Sequence, residues 1–465
     1  MKKRLWAGLL VLCLLFACSS IGASEEVFNQ QSGDYDYLPL ADGTARLVKY
    51  YGSEADLVVP AELDGLKVTE IADSAFSWND DIERVTLPEG VEKIGSQLFA
   101  YSTFLEAVTF PSTLKEIGSN PFIGCDEALD ITILGGILEL KDGVLFNRET
   151  HTLICYPEAM EEASYVIPDG TETIGSMAFY GSQHLKSLTV PASVTSIERR
   201  AFYLCERLRE LNLPDEIPDL GSEVFLGCSS LTAISFPKGI KSIPASLFRN
   251  CKSLTEVSLP STVKSIGLDA FRGCLNLESI ELPKKVSALS SGVFADCRRL
   301  TEVILSEKTA VIGPSAFNGC ESLAHIDLPQ TVTKIDREAF YGCKALAEIQ
   351  LPEKLAVLGE NAFYGCVALT SVTIPSSISL INRGAFGLCV TMTDLVISEG
   401  VTHIAENAFF CCQSLQRVSL PATLSVMAPS AFDQCPQAVF SVPAGSKAEQ
   451  LCQTLGLNYE TRVAE

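Results

Sequence analysis

Histidine is scarce in this 465-residue chain. The four present, His151, His184, His325 and His403, make no H-E-x-x-H pair and have no Ser or Cys at a fixed spacing. The common sequence signs of a zinc hydrolase or a nucleophile–base pair are therefore missing. So are glycine-rich phosphate loops of the P-loop or dinucleotide form. Positive charge is also short, with 35 Lys and Arg against 57 Asp and Glu and a net charge of −22. Phosphate backbones and anionic lipid surfaces need clustered cations, so nucleic acid and a polybasic membrane contact are poor partners. Beyond the N-terminus no apolar run reaches the roughly 20 residues of a membrane span. No catalytic residue, metal or cofactor is called for. A hydrolase built on scattered carboxylates stands behind a binding role and a structural one.

The first residues read as a secretory signal. Lys2, Lys3 and Arg4 precede the short apolar run Leu5 to Ala17, and small residues follow. Two cleavage readings compete. Leu15-Phe16-Ala17-Cys18 resembles a bacterial lipobox, with Phe16 as a departure, and would make Cys18 the lipidated N-terminus. Ile21-Gly22-Ala23 fits ordinary cleavage after Ala23. Loss of the three cations would bring the net charge near −25, a solubilising surplus for a long surface.

What the chain does have is a repeat. A Phe stands every 23 residues from Phe179 to Phe432, and Phe76, Phe99 and Phe122 keep the same step, giving fifteen coils in register. One coil shows the grammar: Ala270-Phe271-Arg272-Gly273-Cys274, then Leu277, Ile280, Leu282-Pro283, Val286 and Leu289. Ser279-Ile280-Glu281-Leu282 alternates like a half-buried strand, and Pro ends it because it cannot donate to a ladder. A second short inward step follows before the next Ala-Phe. No coil can bury its apolar side alone, so the coils must stack. The predicted fold is a β-rich solenoid of about fifteen 23-residue coils with short parallel strands.

Of the 17 cysteines, twelve lie three residues after a repeat Phe. Asn79, Ser102 and Ser182 fill that place elsewhere. The exchange with Asn and Ser points to a side chain turned inward to meet backbone groups. Structural free thiols fit better than a metal site, which wants local C-x-x-C pairs, or disulfides, whose dihedral suits stacked parallel side chains poorly.

Two stretches depart from the rule. One runs from Tyr35 to Pro60, with a turn at Asp42-Gly43. The other fills the 57-residue gap between Phe122 and Phe179, with a turn at Asp142-Gly143. Both read as hairpins feeding the next coil. Near the end, Ser446 and Gly456 frame a predicted capping helix, followed by a short tail. The expected organisation is a signal peptide at 1–23, an N-terminal hairpin cap and first coil at 24–75, a first repeat block at 76–134, and a hairpin insert at 135–168. A main block at 169–440 and a C-terminal cap at 441–465 complete it.

The coil Leu-x-x-Ile-x-Leu-Pro-x-x-Val-x-x-Ile-Gly-x-x-Ala-Phe-x-x-Cys resembles the BspA-type leucine-rich repeats of bacterial surface proteins. Asp142-Gly143-Val144-Leu145-Phe146-Asn147 is similar to that family's insert, and Gly445-Ser446-Lys447-Ala448-Glu449 to its terminal cap. The resemblance implies a leucine-rich-repeat solenoid at the cell surface or outside the cell that binds host or neighbouring-cell macromolecules. It supplies no catalytic residues. A protein ligand and a monomeric state are expected, with membrane contact only through a lipid on Cys18. The residues eight and ten after each Phe should face water. There Glu210, Glu256, Glu302, Ile304, His325, Glu348 and Arg417 are the binding candidates, an acidic and partly apolar ribbon suited to a basic patch on a protein. A merely solvated face is the plain alternative. A structural or carbohydrate-binding envelope module is the second functional reading, and this face lacks the aromatic platforms that glycans favour.

Overall fold

The computed structural model describes residues 29–125 and 129–463. The cleavage sites and the lipidation reading at Cys18 fall outside them. Within the coil already dissected, strand Ser279–Glu281 buries Ile280 and turns Ser279 and Glu281 outward. It pairs in parallel with Glu302–Ile304 of the next coil. The second inward step is strand Ala288–Leu289, paired in parallel with Val311–Ile312. Repetition gives two parallel ladders, one of strands of three to four residues and one of two-residue strands. A third seam joins the Phe segments: Phe271 N–H donates to Val293 O at 2.9 Å and Gly273 N–H to Ala295 O at 2.8 Å.

That third seam requires a tight corner on each side of the Phe. In most coils the residues two before and two after it adopt positive φ, as at Asp269 (53°) and Gly273 (73°). Glycine meets this without strain, but Arg200, Leu204 and Leu388 hold the same geometry. Each such residue costs about 1–2 kcal/mol, which the inter-coil hydrogen bonds and ring packing must offset.

The solenoid has about eighteen turns, against the fifteen expected from Phe. Tyrosine accounts for two of the additional turns. Tyr50 packs on Phe76 at 6.0 Å between centroids, and Tyr156 stacks on Phe179 at 5.0 Å. Tyr156 even keeps the 23-residue step, which a count of Phe alone passes over. The remaining turn is at the end. Residues expected to trail off as a tail form strand Tyr459–Arg462, which pairs in parallel with Val439–Pro443 and extends the first ladder. The helix Lys447–Leu455 lies between them, with Ser446 accepting from Glu449 N–H and Gly456 in the left-handed region, as the sequence predicts.

The insert joins two hydrophobic cores. Its hairpin, Leu138–Lys141 with Val144–Asn147, continues antiparallel into Thr152–Cys155, and that strand opens the parallel ladder of the following coils. All four residues of Val144–Asn147 are buried. Alternation sends Leu145 to the N-terminal core and Val144 and Phe146 to the C-terminal one. A register shift beside Leu145 lets Ile154 and Cys155 both face the first core, while Leu153 and Tyr156 face the second. Polar contacts also bridge the two blocks. Asn120 Nδ2 donates to Met177 O at 2.8 Å, and the Tyr101 and Tyr180 hydroxyls meet at 3.0 Å.

The cysteine column has one repeated role. Cys297 Sγ donates to Phe271 O of the preceding coil at 3.1 Å, and that carbonyl also accepts Cys274 N–H from its own coil at 3.1 Å. The same bond recurs from Cys205 to Cys435. In most of these coils the buried Phe carbonyl thus fills both acceptor positions. Ser102 makes the equivalent bond to Phe76 O at 2.9 Å. Asn79 Nδ2 reaches Gly52 O at 2.9 Å. Ser182, in the first full coil after the insert, turns instead to Phe179 O of its own coil. The described cysteines form no disulfide with one another.

Two outcomes follow from this packing. Tyr156 Oη is buried and has no hydrogen-bond partner among the described residues, so Tyr156→Phe should raise stability by about 1–2 kcal/mol, read as a later urea midpoint. Burial also raises the thiols of Cys228, Cys251, Cys274, Cys297, Cys320, Cys343, Cys366 and Cys389 far above the usual value of about 8.5. Above that pH the unfolded chain holds fewer protons than the native one. Stability should therefore be complete below about pH 8.5 and fall as pH rises, by about 1.4 kcal/mol per pH unit per thiol. Urea midpoints measured under reducing conditions from neutral to alkaline pH check this, and a flat profile would contradict thiol burial.

Candidate functional site

The first ladder shows one outward column through the main block, on defined strands at Glu210, Glu256 and Glu302 and outside them at His325 and Glu348. Glu210, Glu256, Glu302, His325 and Glu348 are exposed, while Leu211, Val257, Val303, Ile326 and Ile349 between them point inward. At Glu210, Glu256 and Glu302 the strand causes this directly, because successive side chains alternate across a strand. Four of the glutamates recur every second coil. At about 4.8 Å per coil they stand about 10 Å apart, near one Debye length in physiological salt.

Some acids elsewhere on the surface are paired with cations of a neighbouring coil. Along the second ladder, Lys93 meets Glu116 at 2.7 Å and Lys115 meets Glu92 at 2.8 Å. In the first block, Arg84 is held among Asp56, Glu83 and Glu106. Among the described residues, no ion pair neutralises Glu210, Glu256 or Glu302. His325 does have partners: its Nε2 lies 2.9 Å from Asp327 Oδ1 and its Nδ1 3.4 Å from Glu348 Oε1. Arg417 is paired with Asp394 at the far end of the column. The Thr393 hydroxyl and then the Arg417 guanidinium hold the Asp394 carboxyl below its ordinary range. Arg417 is thus paired across the ladder with Asp394 while 72% of its side chain stays exposed.

The candidates are not equally close to one another. Glu302 and Ile304 share a strand, and Ile304 stands opposite Glu281 with half its surface exposed. Glu256 lies one coil before Ser279. Between strands Glu256–Ser258 and Ser279–Glu281 the ladder has no paired register, and a groove of about 770 Å³ opens there. Glu256, Glu281, Lys284 and Lys285 line it, over the apolar floor of Val257, Ile280 and Leu282. The two lysines were not singled out from sequence, since they sit beyond the Pro that ends the strand. Glu210 lies across another ladder interruption, after Glu210–Asn212.

A further feature of the surface lies off the strand face. Beside the Phe column, Trp78 is 73% exposed and stacks on Tyr101 at 4.3 Å. Tyr341 stacks on Tyr364 at 5.3 Å. Aromatic rings are thus present on this edge although the strand face has none.

The family model of the BspA type leucine rich repeat region matches residues 69–165, 155–263, 219–345 and 310–439. A leucine-rich repeat protein from Bacteroides ovatus superposes with a TM-score of 0.54 at 22% identity, covering 94% of this chain and 100% of that one. A leucine rich cell surface protein from Faecalibacterium prausnitzii gives a TM-score of 0.42 at 23% identity, covering 92% and 98%. No curated protein matches the chain in sequence. Among the described residues no helix is long and apolar enough to cross a membrane.

If the acidic column is not part of the scaffold, neutralising it should cost no stability. Glu256→Gln together with Glu302→Gln should move the unfolding free energy by no more than about 0.5 kcal/mol. A loss above about 2 kcal/mol in a urea titration would assign these residues a structural task.

Proposed function

The chain belongs to the BspA-type leucine-rich repeat family, and from that premise we propose that it is a secreted or surface-displayed binding protein that captures a host or neighbouring-cell protein on its strand-bearing face. Leucine-rich repeats suit protein interaction, and the observation that carries this particular reading is the uncompensated glutamate column. Glu210, Glu256 and Glu302 project from the first ladder at a regular two-coil spacing, and none of the three is in an ion pair among the described residues. A fixed row of like charge raises the encounter rate with a basic partner. Ile304 and the apolar floor of the groove at Glu256 supply area that such a partner can cover. His325 and Glu348 continue the row toward the C-terminal end, and Arg417 with Asp394 closes it. Display outside the cell by the N-terminal signal, as a freely secreted or a Cys18-lipidated monomer, belongs to the same proposal. So do the block boundaries read from sequence.

A structural or carbohydrate-binding role in the envelope is the second reading. The strand face gives it no aromatic platform, and any support for it must come from another edge of the solenoid.

Surface binding of residues 24–465 to a panel of extracellular matrix proteins and envelope glycans tests the proposal. Saturable protein binding should weaken as salt rises, and should fall at least tenfold, about 1.4 kcal/mol, when Glu256, Glu302 and Glu348 are changed to Lys. Protein binding that is indifferent to both changes would move the site away from this face. A blank protein panel would remove adhesion as the leading reading.

A further inference from the structure

The edge beside the Phe column contains a groove of about 340 Å³ that the strand face does not share. It is lined by Tyr341, Glu360, Asn361, Tyr364, Arg383, Gly384, Asn407 and Phe410. Its rings come from the residue after each repeat Phe, in the order Tyr341, Tyr364, Gly387, Phe410. Glycine interrupts an aromatic column there. Tyr341 and Tyr364 lie nearly parallel, 9° apart, and Tyr341 is 39% exposed.

The floor is coil 383–387, Arg-Gly-Ala-Phe-Gly. No other of the fifteen Phe coils has Gly both two before and one after its Phe. The two glycines have a measurable effect. A Cβ on Gly387 would lie 2.6 Å from Tyr364 Cδ2 and Cε2, and one on Gly384 would lie 2.1 Å from Asn361 Oδ1. Both Tyr364 and Asn361 therefore lean over the next coil, into space that a side chain occupies in other repeats. The result is a slot with the Tyr pair on one side and Phe410 with Asn407 on the other.

We propose that this slot is a binding subsite for an uncharged oligosaccharide, recognised through one or two of its sugar rings. Three features of the lining select this ligand. The rings offer apolar surface to the C–H face of a pyranose. The amides of Asn361 and Asn407 can each donate and accept, which matches hydroxyls that do both. Arg383 and Glu360 bring opposite charges, so the slot has no net charge to attract an ionic ligand, and the acidic chain repels an anionic one. An aromatic side chain from a peptide would cover the same rings but leave these polar groups desolvated without partners, an unfavourable exchange. The volume lies at the lower end of the range for small-ligand pockets, in keeping with one or two rings. This site is separate from the acidic strand face, and either can exist without the other.

The test uses saturation-transfer NMR on residues 24–465 with cellotriose, chitotriose, mannotriose and the anionic sialyllactose at millimolar concentration. At least one uncharged trisaccharide should bind. Gly387→Ala, which places its methyl against Tyr364, should weaken that binding at least tenfold with the melting temperature retained. Asn407→Ala should weaken it severalfold, and serves as the second reading should Gly387→Ala disturb the coil. Changing Glu256, Glu302 and Glu348 to Lys should leave it untouched. Absence of binding by every uncharged sugar, a preference for sialyllactose, or binding unaltered in both Gly387→Ala and Asn407→Ala overturns the proposal.

Discussion

One buried carbonyl per coil sets the terms for the rest of the molecule. The Phe oxygen must be satisfied where no water reaches, and it takes one donor from its own coil and one from the next. The thiol three residues after the following Phe is the second donor, at 3.0–3.4 Å in the main block. That bond spans 26 residues and closes only when the coil between is 23 long. The rings impose the same condition. Phe centroids follow one another at 4.9–5.8 Å, close to the spacing of neighbouring parallel strands, so ring stack and backbone ladders share one pitch. A one-residue insertion would break the ring stack, the thiol bond and both ladders together. The repeat length is constant over so many coils because four dependencies meet in it.

The insert shows what a departure from that length requires. Two coils plus eleven residues cannot continue the stack directly. Instead a strand buried on both faces is placed between the blocks, with Leu145 entering one core and Val144 and Phe146 the other. The irregular register beside Leu145 adds Ile154 and Cys155 to the first core. Tyr156 then restarts the ring column in phase with Phe179. The insert therefore closes one block and begins the next in a single element, and Asn120 and Tyr101 tie the blocks across it.

Much of this was legible in the sequence, because the strongest constraints repeat. The 23-residue step, the inward thiols, the alternation of the outer strands, both hairpins and the capped helix follow from periodicity and end signals. What escaped has specific causes. Tyr50 and Tyr156 fill the ring column with a different residue, so a count of one residue type misses their turns. The left-handed corners carry Arg200, Leu204 and Leu388, which give no compositional sign of positive φ. Strand Tyr459–Arg462 follows a helix and has no repeat of its own, and only docking on Val439–Pro443 makes it a strand. At the candidate site, exposure of Glu256 and Glu302 was readable from alternation. The grooves were not, since one depends on how two ladder strands part, and the other on two glycines letting side chains of one coil rest on the next.

The separation of fixed and free positions bears on how such a scaffold acquires ligands. Residues that face water along the first ladder make no contribution to the shared pitch, so their identities can change without loss of the fold. Composition there is then a record of something other than stability. A solvated surface needs only enough charge to stay dispersed, and elsewhere on this chain that charge is often arranged in pairs between coils. On the strand face Glu210, Glu256 and Glu302 recur at every second coil, with Ile304 exposed beside Glu302. The aromatic edge poses the same question from the opposite direction. There the glycines at 384 and 387 remove side chains that a neighbouring coil could have packed, and the rings of Tyr341 and Tyr364 border space that the fold leaves open. A scaffold whose core is settled by one carbonyl and one ring per coil can carry two such surfaces independently, because neither takes part in the contacts that hold the coils together.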